Sequence, residues 1–126
     1  MTPGVTLDAG GLIALDRQDR RIIVLLARAY ERGAVVTIPA TALAQAIRRP
    51  ERQVHLARLI RQPTSEVVPL DRVDATNVGR LLAASRTADV CDAHVVVCAR
   101  RRGQRVVTSD PADLRSLDPG IEIVEV

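Results

Sequence analysis

Asp89-Val-Cys-Asp92-Ala-His94-Val-Val-Val-Cys98-Ala-Arg-Arg-Arg102-Gly-Gln-Arg105-Val-Val-Thr108-Ser-Asp110 holds the pattern that sets the fold. Residues 90–102 place apolar side chains at helical spacing and stop at Gly103, a residue suited to the position after a helix C-terminus. Residues 105–108 then form a short, β-branched run of the kind found in buried strands, and an aspartate follows it. The same alternation recurs outward in both directions. Val5-Thr6-Leu7 ends at Asp8, residues 35–38 stop at Pro39, residues 66–68 stop at Pro69, and residues 121–124 make a fifth apolar run. Helices are expected over 20–32, ending at Gly33, over 41–48 and 51–61 as a pair broken at Pro50, and over 71–85 with Val73, Val78, Leu81 and Leu82 as its apolar stripe. Strands alternating with helices predict an α/β domain with a mainly parallel sheet, one domain over residues 1–126. No repeat, linker or low-complexity segment interrupts it.

Composition narrows the chemistry. The chain has 126 residues, 47% of them hydrophobic, with Tyr30 as its one aromatic. Its core must come from Val, Leu, Ile and Ala. Without Phe or Trp there is no platform for base stacking, which argues against the RRM and OB styles of single-strand binding. All 18 basic residues are Arg. The absence of Lys excludes Schiff-base chemistry and a P-loop lysine. A net charge of +3 permits a polyanionic partner, and the guanidinium fork suits phosphate, although a general bias toward Arg and Ala would give the same composition. No apolar run reaches the ~18 residues of a membrane span. Residues 1–8 carry no charged stretch ahead of an apolar one, so no signal peptide is expected and the location expected is cytoplasmic. Cys91 and Cys98, seven apart on one helix, are separated by roughly 10 Å of axial rise, too far for a disulfide. Both are expected as buried thiols.

The acids carry the functional signal. Ligands of open parallel sheets bind beyond the carboxyl ends of strands, where strand order reverses. Asp8 and Asp110 stand at two such ends, and they converge if the first and fourth strands are neighbours. Asp89 and Asp92, three apart at the start of the intervening helix, share a face. Crowded carboxylates raise one another's pKa. A hard divalent cation removes that repulsion, and Mg²⁺ accepts one or two carboxylates with water and phosphate completing its shell. Such an ion can activate water and stabilise a leaving oxygen without a His or Lys base. Each acid also has a purely structural reading. Asp110-Pro111-Ala112-Asp113 is a good helix start, Asp89-x-x-Asp92 repeats the device, and Asp8 can cap a helix beginning at Ala9. The two readings are compatible, because a capping carboxylate retains an oxygen for a metal.

At these residues the chain resembles a known family. Leu7-Asp8-Ala9-Gly10-Gly11-Leu12-Ile13-Ala14-Leu15 resembles the opening motif of PIN domains in VapC-type toxins. Asp89-Val90-Cys91-Asp92-Ala93-His94 is similar to the family's central aspartate–alanine motif, and Thr108-Ser109-Asp110-Pro111-Ala112-Asp113-Leu114 to its closing motif. Order, spacing and length agree over essentially the whole chain. The resemblance implies a three-layer PIN-like fold, a five-stranded mainly parallel sheet flanked by helices. It implies a Mg²⁺- or Mn²⁺-dependent endoribonuclease, usually a homodimer, inhibited by a cognate antitoxin. Asp8, Asp92 and Asp110 would be the catalytic, metal-binding acids, and Thr108 would support them by hydrogen bonding. One departure stands out. The family commonly has a Glu on the helix after the second strand, and Gln45 occupies that place. A neutral amide supplies no charge, so weaker metal affinity is expected, with Asp89 compensating from the neighbouring helix.

Remaining polar residues are assigned more simply. His94 is turned roughly 200° from Asp92 on the helix and reads as structural. His55 reads as solvated, and Asp16 and Asp113 as surface or capping acids. Arg17, Arg20 and Arg21, with Arg48, Arg49 and Arg52, are candidates for a rim that collects RNA backbone around an acidic centre. Arg100, Arg101, Arg102 and Arg105 form a third cluster, and each cluster has the alternative of a solvated helix face. Apolar residues in the region 20–61, among them Leu43, Ile47, Leu56, Leu59 and Ile60, are candidates for dimer or antitoxin contact, or for the core. A receiver domain would need a Lys, a haloacid-dehalogenase phosphatase a second Asp where Gly10 stands, and a dinucleotide module a third spaced Gly. The competing class is a catalytically inactive PIN-fold module that binds RNA or protein.

Overall fold

The computed structural model of the chain describes residues 4–126, so the first three residues of the segment weighed as a leader lie outside the described residues. One parallel sheet runs in the order β3-β2-β1-β4-β5, with β1 at Val5–Leu7, β2 at Val36–Pro39, β3 at Ser65–Val68, β4 at Arg105–Thr108 and β5 at Ile123–Glu125. The helices are α1 (Ala9–Asp16), α2 (Arg20–Glu31), α3 (Ala40–Ala46), α4 (Val54–Arg61), α5 (Arg72–Ser85), α6 (Val90–Arg102) and α7 (Pro111–Leu117), with a 3₁₀ turn at Pro50–Arg52. This is the α/β architecture expected, with the sheet flanked by helices. No helix among the described residues is long and apolar enough to cross a membrane.

The centre of the molecule explains its sequence. β1 is buried along its whole length, as a parallel strand covered on both faces must be. α6 lies against β1, β2 and β4 and also packs on α3, α5 and α7. Its residues from Ala93 to Ala99 are all buried, which is why that stretch is apolar on every side except at His94. From β1 the chain steps to β2 and β3, then returns past β1 to β4 and on to β5. Strand order therefore reverses between β1 and β4, which are hydrogen-bonded neighbours with Leu7 opposite Val107. The carboxyl ends of these two strands deliver Asp8 and Asp110 to one crevice.

Several expectations need correction. β2 and β3 are displaced or extended by one residue, and β5 begins two residues later than expected because its pairing with β4 sets Ile123 opposite Val106 and Glu125 opposite Thr108. α3 stops at Ala46 rather than residue 48, since the Gln53 amide oxygen takes the N–H groups of Arg48 and Arg49 at 2.9 and 3.0 Å. Val73 is 63% exposed instead of joining the α5 stripe, while Asp74 beside it is buried. Cys98 is buried, but Cys91 is only half-buried, and both are free. His55 is half-buried and lines a surface groove together with residues of α2. Of the apolar contact candidates, Leu56 and Leu59 lie in the core, and Ile47 is exposed.

Candidate functional site

Asp8 is the most buried of the strand-end acids, at 6% exposure. It is the N-cap of α1, its Oδ1 accepting from the Gly11 N–H at 2.8 Å. Burial pushes its carboxyl above the ordinary aspartate value, while the Thr108 hydroxyl and the Gly11 amide pull the other way. The glycines after it have a specific purpose. A Cβ on Gly11 would sit 2.7 Å from the Val107 carbonyl oxygen, and one on Gly10 would overlap the Ser109 hydroxyl. At position 11, where the obstacle is backbone, only glycine lets the first turn of α1 close onto the end of β4.

Asp110 follows β4 and is exposed, and its N–H donates to Thr108 Oγ1 at 2.9 Å. Its side chain makes no capping bond to α7. Asp89 caps α6, its Oδ1 accepting from Asp92 N at 2.9 Å. The structural reading thus holds for Asp8 and Asp89 and does not hold for Asp110. Thr108, buried between the two strand-end acids, contacts both.

Asp92 is half-buried beside these acids. Its pKa is raised from 3.8 to about 6, first by burial and then by the charges of Asp89, Asp8, Asp113 and Asp110. Asp113 is exposed, as expected of a surface acid, and its charge also acts on this group. Its carboxyl shares a hydrogen bond with Asp110, which raises its pKa. The i, i+3 spacing of Asp110 and Asp113 was the available signal. Among the described residues these acids do not form a group whose oxygens all lie within 4.8 Å of one another. Such an arrangement suits a hard, water-rich ion bound directly by one or two carboxylates, and it does not suit a closed cage. Gln45, on α3 one turn after Thr41, is exposed; α3 packs on both α1 and α6.

The arginine candidates separate into two clefts. Arg20 and Arg21 line a groove of about 670 Å³ beside α2, together with Arg28, Arg32 and Arg105. Arg48, Arg49 and Arg52 line a cleft of about 400 Å³ with Asp16 and Gln53. Arg17 is exposed and lines neither of them. Gln53 escaped the sequence reading. It is 7% exposed, and besides accepting from Arg48 and Arg49 it donates to the Ala46 carbonyl at 3.0 Å and to Asp16 Oδ2 at 3.4 Å.

A second polar group lies deeper. Asp74, His94 and Cys98 are all buried, with their ligand-type atoms within 4.8 Å of one another. His94 Nε2 is 3.0 Å from Asp74 Oδ2, and Nδ1 is 2.8 Å from Thr41 Oγ1. Arg101 pairs with the other oxygen of Asp74. A carboxylate only accepts, so Nε2 carries the proton and Nδ1 accepts from the Thr41 hydroxyl. Burial lowers the His94 pKa, which favours this neutral form. Both ring nitrogens of His94 and both oxygens of Asp74 already have partners, and one of those partners is itself a cation, the Arg101 guanidinium. The group is a closed hydrogen-bond network, in keeping with the structural role read for His94.

Neither a protein-family model nor a curated protein sequence matches the chain. Solved structures do match over nearly its whole length. The crystal structure of VapBC2 from Rickettsia felis bound to a DNA fragment from their promoter aligns with a TM-score of 0.69 at 12% identity, covering 99% of this chain and 99% of that one. DNA-bound VapBC from Salmonella typhimurium aligns at 0.64 and 23% identity, covering 98% of each chain. FitAcB from Neisseria gonorrhoeae aligns at 0.67 and 14% identity, covering 96% of each. At these identities the likeness is one of fold. The fold is that of the VapC-type PIN domain, as the three motifs implied.

Proposed function

We propose that this chain is a divalent-metal-dependent endoribonuclease and the toxin of a toxin–antitoxin pair. The observation that carries the proposal is the gathering of acids from three elements, the end of β1, the start of α6 and the end of β4, where burial first and then the charges of its neighbours raise Asp92 to about 6. Asp8, Asp92 and Asp110 would hold Mg²⁺ or Mn²⁺, with Asp89 at the edge. When bound, the ion supplies water activation and stabilisation of the leaving oxygen. Thr108 fixes the backbone of Asp110 and favours the ionised form of Asp8. Gln45 offers an amide oxygen to the metal or its water. Because the acids repel phosphate, the RNA must be held by cations outside the centre: Arg17, Arg20 and Arg21 on one side, Arg48, Arg49 and Arg52 on the other.

The antitoxin assignment draws on the neighbours, which were solved as VapBC and FitAB complexes. An apolar groove of about 340 Å³ between α2 and α4, with Leu15, Ile23, Tyr30 and Leu59 in its lining, supports a protein partner, and Ile23 is 43% exposed there.

The test is incubation of the purified protein with a mixed RNA pool in Mn²⁺, in Mg²⁺ and in EDTA, beside an Asp8→Ala variant. Cleavage that requires metal and disappears in the variant is expected. No cleavage in any condition, with Mn²⁺ still raising thermal stability, would replace the nuclease with the inactive binding module.

A further inference from the structure

Burying an Asp and a His together, with a half-buried Thr bonded to them, needs an explanation, because none of them takes part in the proposed chemistry. Their desolvation is costly, and replacing a buried ionic network with apolar side chains of similar volume is often neutral or stabilising. Stability alone therefore does not account for the network. Its geometry offers another reason. Asp74 comes from α5, His94 and Arg101 from α6, and Thr41 from α3, so one chain of hydrogen bonds ties three helices. Next to it the Cys91 Sγ lies 3.7 Å from the Thr41 carbonyl oxygen, a second contact between α3 and α6. Asp92 lies on α6, and Gln45, proposed above as an aid to the metal, lies on α3. Asp92 precedes His94 by two residues, and Gln45 follows Thr41 by four, one helical turn along the same face.

We infer that Thr41, His94 and Asp74 are positioning residues that fix α3 against α6 and so hold Gln45 in register with Asp92. The inference rests on the metal-centre reading only for its functional consequence; the tie itself belongs to the fold. Apolar contacts tolerate sliding, because dispersion is not directional, whereas a hydrogen bond of 2.8 Å between α3 and the buried His94 admits one register. A displacement of about 1 Å at a reacting centre can cost about 10²-fold in rate, and loss of outer-shell support costs about 10–100-fold in metal affinity. Gln45 is neutral, so charge does not draw it to the metal, and its contribution depends on placement more than a carboxylate's would.

The experiment compares the wild type with a Thr41→Val, His94→Leu, Asp74→Leu triple variant. Arg101, whose side chain is 44% exposed, can turn to solvent when Asp74 is gone. Three quantities are measured: the thermal midpoint, amide hydrogen exchange of residues 43–46 in metal-free protein, and Mn²⁺ affinity by calorimetry. The expected result is a midpoint equal to or above the wild type, exchange over 43–46 at least about tenfold faster with the β1 and β4 amides unchanged, and Mn²⁺ affinity weakened by about 10–100-fold. In a His94→Asn variant the shorter amide reaches Thr41, and exchange should return toward wild type. In His94→Gln, which favours Asp74 instead, it should not. A folded triple variant with native exchange over 43–46 overturns the inference, whether or not the wild type binds Mn²⁺. Native exchange is the failure of the tie; absence of Mn²⁺ binding by the wild type is the failure of the metal-centre reading. Should the triple variant not fold, the Asn and Gln pair decides alone, and equal exchange in the two overturns it.

Discussion

Two glycine-to-alanine substitutions, both inside helices, should move stability in opposite directions. Gly79 lies in α5, and a Cβ there would meet nothing within 4 Å. Gly79→Ala should gain about 1 kcal/mol from helix propensity alone. Gly11 lies in the first turn of α1, where a Cβ would be 2.7 Å from the Val107 carbonyl oxygen. That oxygen is backbone and cannot rotate away, since it accepts the Asp8 N–H at 3.3 Å. Relief requires α1 to withdraw from β4, which strains the Gly11 bond to Asp8 Oδ1. Overpacking of this kind costs about 1–3 kcal/mol, and a weakened cap about 1 kcal/mol more. Set against the propensity gain of about 1 kcal/mol, Gly11→Ala should lose roughly 1–3 kcal/mol. Thermal midpoints shift by roughly 3–5 °C per kcal/mol in a chain of this size, so the two variants should melt about 6–20 °C apart. Calorimetric melts of both, in the same buffer without metal, measure the gap. A Gly11→Ala protein as stable as Gly79→Ala would refute the claim that the glycine pair is there for close approach of α1 to β4.

Other outcomes follow from the same geometry. Asp92 has a folded pKa of about 6 against 3.8 unfolded. Its contribution to stability is therefore greatest below pH 3.8 and is lost as pH rises through about 6. The rise in melting temperature on adding Mn²⁺ should accordingly be larger at pH 7 than at pH 5, and an equal rise at both would count against Asp92 as a ligand. Gln45→Glu should tighten Mn²⁺ binding by adding a charge at the fourth position; calorimetry with unchanged or weaker affinity would contradict that placement. Arg48→Ala or Arg52→Ala should weaken RNA binding and flatten the slope of log K against log salt by about 0.7 for each phosphate left without its arginine, whereas an unchanged slope would remove that cleft from the RNA path.

Much of the fold was legible because short buried strands advertise themselves. β1 and β4 are β-branched or apolar runs ended by an acid, and their bounds agree with the sequence reading. β5 was displaced because Ile121-Glu122-Ile123-Val124 alternates plausibly in either register, and only pairing with β4 chooses between them. α1 was visible only as a capped start, since Ala9-Gly10-Gly11 has poor helix propensity; the Asp8 cap and packing on α3 and α4 stabilise it. Val73 left its expected place in the α5 stripe because Asp74, with a buried histidine partner, takes the inner face instead. Asp8 and Asp110 stood out for a topological reason, strand ends on either side of an order reversal, and Asp92 for its spacing from Asp89 at a helix start. Gln53 and the Thr41–His94–Asp74 chain did not, because their meaning lies in contacts between elements that sequence spacing does not encode.

The central claim is that the acids at the ends of β1 and β4 and the start of α6 form one metal centre. Mn²⁺ titration by calorimetry of the wild type and of Asp8→Asn, Asp92→Asn and Asp110→Asn, each retaining its shape, tests it most directly. The account predicts measurable binding by the wild type and a loss of at least about tenfold in affinity in every variant, the scale of a weakened metal site. Binding of equal strength in all four proteins would place the ion elsewhere and contradict it.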